Sequence, residues 1–215
     1  MKELIQKVEE ATRSFMEKQD KAHDWYHIER VRDMALRIVE REGGDKELVE
    51  LIALVHDVGD RKIHDSEEAG VDATVSLLEE CGVPEDVAEK VTDLAHRVSF
   101  KGAGVPDNMP DLEGKIVQDA DRLDAIGAIA IARTFTWGGH HNHPIYVPEE
   151  KVRMAQSAKD YYEKKEGSSI NHFHEKLLLL KDRLHTKTAK EIGEKRHAFM
   201  EDFLEQFMNE WEGKD

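Results

Sequence analysis

Apolar residues recur at intervals of three and four along almost the whole chain, and no stretch alternates strictly enough to read as a strand. That periodicity constrains the fold most: it predicts an all-α protein. Leu4, Ile5, Val8, Ala11 and Phe15 mark a first helix; Ile28, Val31, Ala35, Ile38 and Val39 mark a second, closed by Gly43-Gly44. A third starts near Asp45, carries Leu48, Leu51, Ile52 and Val55, and ends in the phrase HDVGD, where Gly59 marks a stop. His56 and Asp57 are thereby expected at a helix end.

Further helices are expected at about 66 to 81, stopped by Cys81-Gly82, and at about 84 to 97, with Pro84 in the first turn. The segment from Ser99 to Asp111, with Gly102, Gly104, Pro106 and Pro110, reads as a loop bordering a site. A single helix is expected at about 113 to 133, an irregular stretch over TWGGHHNHPIYVP, a polar helix at about 149 to 165, and a last helix at about 187 to 211. Ile192, Phe199, Phe203, Leu204 and Phe207 are expected to form the buried stripe of that last helix. No repeat, low-complexity tract or linker interrupts the 215 residues, which are read as one domain with a core at about 20 to 135 and a helical annex at about 148 to 212. A chain of this length can bury roughly 70% of its unfolded surface, enough to enclose a site.

The charge balance narrows the ligand. With 31 basic and 46 acidic side chains the net charge is −15, which disfavours a nucleic-acid duplex held through many phosphates. A small phosphorylated ligand remains open, and a bound divalent cation would supply the local positive charge it needs. Cys81 is the only cysteine, so neither an internal disulfide nor a thiolate zinc cluster can form. The opening MKELIQKVEEATRSF lacks the apolar core of a signal peptide, and apolar runs such as Leu177 to Leu180 are too short to span a bilayer. A cytoplasmic protein without a membrane partner is expected, as a monomer or as a homodimer through an apolar strip on the last helix.

A metal site without cysteine draws on imidazole and carboxylate, and these occur as His27, the adjacent pair His56-Asp57, and Asp121 within DADRLD. Each falls on a different helix, the arrangement from which helical proteins build metal sites. Helical phase chooses among the three aspartates of the last group. Val117, Asp121, Asp124 and Ala128 share one stripe beside the apolar Ile116, Ala120, Leu123 and Gly127, while Asp119 falls outside both. Asp121 is therefore the expected ligand, with Asp124 supporting it or contacting substrate. The bland alternative for any single histidine of the 12 is a surface or hydrogen-bonded core imidazole, and His23, His172, His174 and His197 are read so. Asp20 and Asp24 are read as possible caps of the second helix.

The order His27, His56-Asp57, Asp121 resembles the H…HD…D signature of the HD-domain metal-dependent phosphohydrolases. HDWYHIERV, LVHDVGDRK, LAHRVSF, QDADRLDAIGA and TKTAKEIGEKRHAFMEDFLEQF together resemble the YpgQ/YedJ-type bacterial subfamily over nearly the whole chain. The resemblance implies an all-helical fold, manganese as the ion, and hydrolysis of nucleoside triphosphates to monophosphate and pyrophosphate. Mg2+, Ni2+, Co2+ and Fe2+ are open alternatives for such nitrogen and oxygen ligands. It also implies a role for Asp60, three residues after Asp57, in orienting or deprotonating the attacking water, directly or through a second water.

Around these residues stand groups that could meet phosphate. Arg61, Lys62 and His64 follow Asp60 at once and could neutralise the leaving group. His96, at a helix end facing the long loop, could contact phosphate or protonate the leaving group, and Arg97 could contact phosphate too. His140, His141 and His143 of HHNHP could close the pocket or bind adventitious metal, and Lys187 could reach phosphate from the start of the last helix. The same ligand set serves phosphomonoesterases and phosphodiesterases, while no GYP phrase follows the HD pair as the cyclic-dinucleotide branch would require. A nucleotide-binding sensor without turnover is the competing class, and the presence of all four candidate ligands speaks against it.

Overall fold

The computed structural model describes residues 2–18, 25–61, 63–162 and 167–214. Lys62, Asp20, His23 and Asp24 lie outside them. The described residues are helical with no strand among them, as the apolar period requires. Two compact units are distinguished: one of Met1–Ser99 with Asn108–Asp121, the other of Phe100–Asp107 with Arg122–Asp215.

The first unit contains α1 (Lys2–Met16), α2 (Trp25–Glu42), α3 (Lys46–Val55), α4 (Glu67–Glu80) and α5 (Glu85–His96). The sixth helix, α6 (Leu112–Asp124), runs from this unit into the other, the boundary falling after Asp121. Start and stop signals act where the sequence places them. Asp45 caps α3 by accepting from the amides of Glu47 and Leu48, and Ser66 caps α4 by accepting from Ala69. Gly43, at φ +81°, ends α2 in the left-handed region, where a side chain would be strained. Pro84 stands at the N-cap of α5 rather than within its first turn.

At the centre of this unit lies α3, whose residues Leu51 to Val55 are all buried, so the helix is apolar on every side. It packs against α1, α2 and α5. Arg32 of α2 ties the three N-terminal helices together, reaching Glu9 of α1 at 3.0 Å and Glu50 of α3 at 2.9 Å. Burial alone would lower the Arg32 pKa, but the hydrogen bond and charge of Glu50, with those of Glu9, raise it above the ordinary arginine value.

The second unit contains α7 (Ala128–His140), α8 (Ala158–Tyr162), α9 (Ser169–Glu175), two 3₁₀ turns at Leu177–Leu179 and Lys181–Arg183, and α10 (Lys187–Glu212). Its aromatic core joins Phe135 of α7, Phe173 of α9 and Phe203 of α10, with centroids 5.9 to 6.1 Å apart. A stack of Phe203, Phe207 and Trp211 continues along α10.

Four expectations are corrected. The single helix at about 113 to 133 is two, α6 and α7, because Gly127 adopts φ +89° and breaks the run. The second of these continues through Gly138 and Gly139 to His140, into the stretch expected to be irregular. Of the polar helix expected at about 149 to 165, the described residues form only α8, and residues 149–157 are not helical. Arg153 N–H donates to Glu175 at 2.8 Å, and Ala155 C=O accepts from Gly104 N–H at 3.1 Å. On α10, Phe199 is exposed, and the buried line runs through Ala189, Gly193, His197, Met200 and Leu204. No helix among the described residues is long and apolar enough to cross a membrane.

Candidate metal centre

All four residues expected to hold a metal lie in the first unit. His27 stands in the first turn of α2, which packs on α3. His56 is the C-cap of α3, and its αR conformation (φ −59°, ψ −27°) continues the helix into a series of tight turns. In these turns Val58 N–H donates to Val55 C=O at 3.0 Å and Asp60 N–H to Asp57 C=O at 3.1 Å. Adjacent helical side chains diverge by about 100°, yet at this helix end both members of the pair turn toward the same point.

The separations are short. His27 Nε2 lies 3.3 Å from His56 Nε2, 3.5 Å from Asp57 Oδ2 and 3.4 Å from Asp121 Oδ1, and His56 Nε2 lies 3.5 Å from Asp57 Oδ1. One ligand atom from each of His27, His56 and Asp57 falls within 4.8 Å of the others. His56 Nδ1–H donates to Ala53 C=O at 2.8 Å, which fixes the tautomer and leaves the Nε2 lone pair facing the cluster.

This donor set fits a divalent first-row cation. Two imidazole nitrogens and two carboxylates are the ligands such ions take, and neighbouring ligands bound at about 2.0–2.2 Å stand roughly 3 to 3.5 Å apart. His27, His56 and Asp57 are buried, and Val55 and Val58 beside them are fully enclosed. Groups of this polarity in such surroundings need a charge to neutralise them. Burial pushes the Asp121 carboxyl up, but the hydrogen bond and charge of His27, with the charge of His56, outweigh it and hold the carboxyl below its ordinary value. Asp121 is thus held as the carboxylate, the form that a cation takes.

Helical phase picks out Asp121 but misplaces Asp119, which is fully buried rather than outside the packed stripes. From Ile116 to Ala120 every residue of α6 is buried, so a two-stripe reading cannot separate its faces. Asp121 is the more open residue that follows. Asp124, three positions on, belongs to the second unit, is buried, and accepts from Arg133 Nη1 at 2.8 Å.

Other candidate residues of the first unit are engaged locally. Asp60 is half-buried and Arg61 exposed. His64 Nε2–H donates to Val58 C=O at 2.8 Å, and its ring stacks on Phe15. His96, the last residue of α5, places Nε2 2.8 Å from Glu67 Oε1 in the first turn of α4. Arg97 forks onto Asp93 at 2.7 and 3.0 Å and reaches Asn108 C=O at 3.3 Å.

Within the second unit His140 is exposed, and His141 stacks on Trp137 with centroids 4.1 Å apart. His140, His141 and His143 do not bring ligand atoms together as the first cluster does. Lys187 is the exposed first residue of α10. Sequence reasoning missed the partners of these groups. Ala53 acts through its carbonyl, which no side-chain pattern reveals, and Glu67 is one of two adjacent glutamates at a helix start.

The fold and the cluster agree with what similar proteins are. Residues 24–126 match the HD domain family. The chain is 39% identical over 218 residues to YpgQ of Bacillus subtilis (strain 168), covering 100% of this chain and 98% of YpgQ. A crystal structure of an HD-superfamily hydrolase from Bacillus thuringiensis is 43% identical and superposes with a TM-score of 0.76 over 98% of each chain. The crystal structure of Bacillus subtilis YpgQ in complex with ADP superposes with a TM-score of 0.75, at 34% identity over 96% of this chain and 94% of that one. With its H…HD…D residues gathered at one point and a full-length relative at this identity, the chain belongs to the HD domain family.

Proposed function

We propose that this protein is a metal-dependent phosphohydrolase that cleaves nucleoside or deoxynucleoside triphosphates to monophosphate and pyrophosphate. The observation that carries the reading is the convergence of His27, His56 and Asp57 within 4.8 Å, with Asp121 Oδ1 3.4 Å from His27. His27, His56, Asp57 and Asp121 would hold a divalent ion, manganese on the family resemblance. Bound there, the ion supplies Lewis acidity toward water and a phosphoryl oxygen.

The chain's own groups carry the protons and the charge. Asp60, one tight turn after Asp57, accepts a proton from the attacking water, directly or through a second water. The bond that breaks is the bridge between α- and β-phosphorus. His96 returns a proton to the departing pyrophosphate, with Glu67 orienting its ring. Arg61 and Lys62 neutralise the phosphates, and Arg97 is a further candidate for substrate contact. The ADP held by Bacillus subtilis YpgQ supports a nucleotide as the ligand class.

The test is chromatographic product analysis of metal-free protein incubated with a nucleotide panel, with and without Mn2+, beside Asp57→Ala. Monophosphate plus pyrophosphate, dependent on metal and lost in the variant, is the expected result. Orthophosphate alone would mark a phosphomonoesterase, and binding without turnover would mark a sensor.

A further inference from the structure

The turn that carries Asp57 and Asp60 is pressed against α4 at one place, backbone to backbone. A Cβ built on Gly59 would stand 2.9 Å from Gly70 C=O oxygen and 2.9 Å from Thr74 Oγ1. One built on Gly70 would collide with the carbonyl oxygen of Gly59 and lie 3.1 Å from its carbon. Neither glycine has a positive φ, so close approach, and not backbone freedom, excludes a side chain at both. Gly70 sits inside a helix, where glycine is worth about 1 kcal/mol less than alanine. The contact with the turn gives that otherwise unfavourable residue a physical reason. Thr74, also buried, donates its hydroxyl to Gly70 C=O at 2.9 Å and lines the same contact.

The residue before Gly59 is held from the other side. Val58 C=O accepts from His64 Nε2–H at 2.8 Å, and the ring of His64 lies nearly parallel to that of Phe15 on α1, 16° apart. His64 Nε2 is thereby committed to the turn's own backbone. We infer that Gly70 and His64 are positioning residues that fix the Asp57–Asp60 turn, and that His64 serves the site through Val58 rather than by touching phosphate. This rests on the metal reading only in its second measurement below.

The first measurement is hydrogen exchange, which needs no ligand. The amides of Val58, Asp60, Ile63 and His64 are all bonded within the turn. In His64→Leu, which keeps apolar bulk and loses the donor, they should exchange about 10-fold faster, the loss of one hydrogen bond. In His64→Gln, whose side-chain N–H reaches about as far as Nε2, protection should return toward wild type. Gly70→Ala should loosen the same amides. The second measurement is calorimetric titration with Mn2+. Affinity should fall roughly 10-fold or more in His64→Leu and Gly70→Ala, and recover in His64→Gln. Unchanged exchange in His64→Leu overturns the inference, as does a Gln variant that behaves like Leu. A His64→Leu variant that raises only the KM for nucleotide, with exchange and Mn2+ affinity intact, makes His64 a phosphate ligand. Absence of Mn2+ binding by the wild type would sink the metal reading, while the exchange experiment would still decide this one.

Discussion

The Nε2 atoms of His27 and His56 stand 3.3 Å apart, while His56 Nδ1–H is committed to Ala53 C=O. Without an ion, a proton on His27 Nε2 must fill this space, facing His56 Nε2 and the carboxylates of Asp57 and Asp121. A cation in its place would meet all four groups at once and should stabilise the fold.

The expected size follows from mass action. Mn2+ at 100 times its dissociation constant should add about 2.7 kcal/mol. For a chain of this size that raises Tm by roughly 5 to 10 °C. Thermal scans in chelator and in Mn2+ check this. His27→Ala should abolish the shift. A wild-type Tm indifferent to Mn2+, Mg2+, Ni2+, Co2+ and Fe2+ alike would remove the metal centre from consideration.

Arg32 supports the same centre from a distance, because it locks α2, which carries His27, to α3, which carries His56. Glu50→Ala would leave a half-buried guanidinium with Glu9 alone. A loss of about 1–3 kcal/mol is expected, toward the low end because the group retains some solvent contact. Urea unfolding measures it, and Glu50→Gln should recover part. An unchanged midpoint in Glu50→Ala would show that the ion pair contributes nothing.

The helical class and the cluster of His27, His56 and Asp57 were legible in the sequence because both rest on local chemistry: a 3.6-residue period, and imidazole and carboxylate at helix ends. Capping was legible at Asp45, and so was the break at Gly43. The failures share a cause. Gly127 lies within a run that keeps its apolar spacing across the break, so periodicity alone joined α6 to α7. Residues 149–157 have helical composition, but the Arg153 amide and the Ala155 carbonyl are taken by Glu175 and Gly104, partners distant in sequence. Asp119 is buried because α6 is enclosed on all sides, a fact of tertiary packing. Phe199 shows the converse, an aromatic at helical spacing that stays exposed while Met200 beside it is buried.

Gly127 offers a direct measure of the break between α6 and α7. At φ +89° any side chain is strained, and a Cβ here would also lie 3.1 Å from two carbons of the Arg196 side chain. Gly82, at φ +85°, has open space around it and so reports the backbone strain alone. Gly82→Ala should destabilise by about 1 kcal/mol and Gly127→Ala by more, about 1–3 kcal/mol. Equal losses in the two variants would mean that neither the ψ of −159° at Gly127 nor the contact with Arg196 adds to the cost.

Glu150 gives the second unit a pH dependence. Burial raises its pKa, but the Ser168 amide at 2.8 Å, the Ser168 side chain, the charge of Arg153 and the Asn171 side-chain amide at 2.9 Å together hold it below the ordinary glutamate value. A carboxylate depressed in the folded state binds protons more readily when unfolded, so its stabilising effect is complete above the unfolded value and is lost as pH falls through the folded one. Glu150→Gln should therefore cost about 1 kcal/mol at pH 7, after allowance for solvent screening. The difference from wild type should begin to narrow as pH drops below about 5 and should vanish below the folded pKa. Urea midpoints of the two proteins across this range decide the matter. A gap that widens on acidification would mean that the Ser168 and Asn171 bonds favour the protonated acid, the opposite of what their geometry requires.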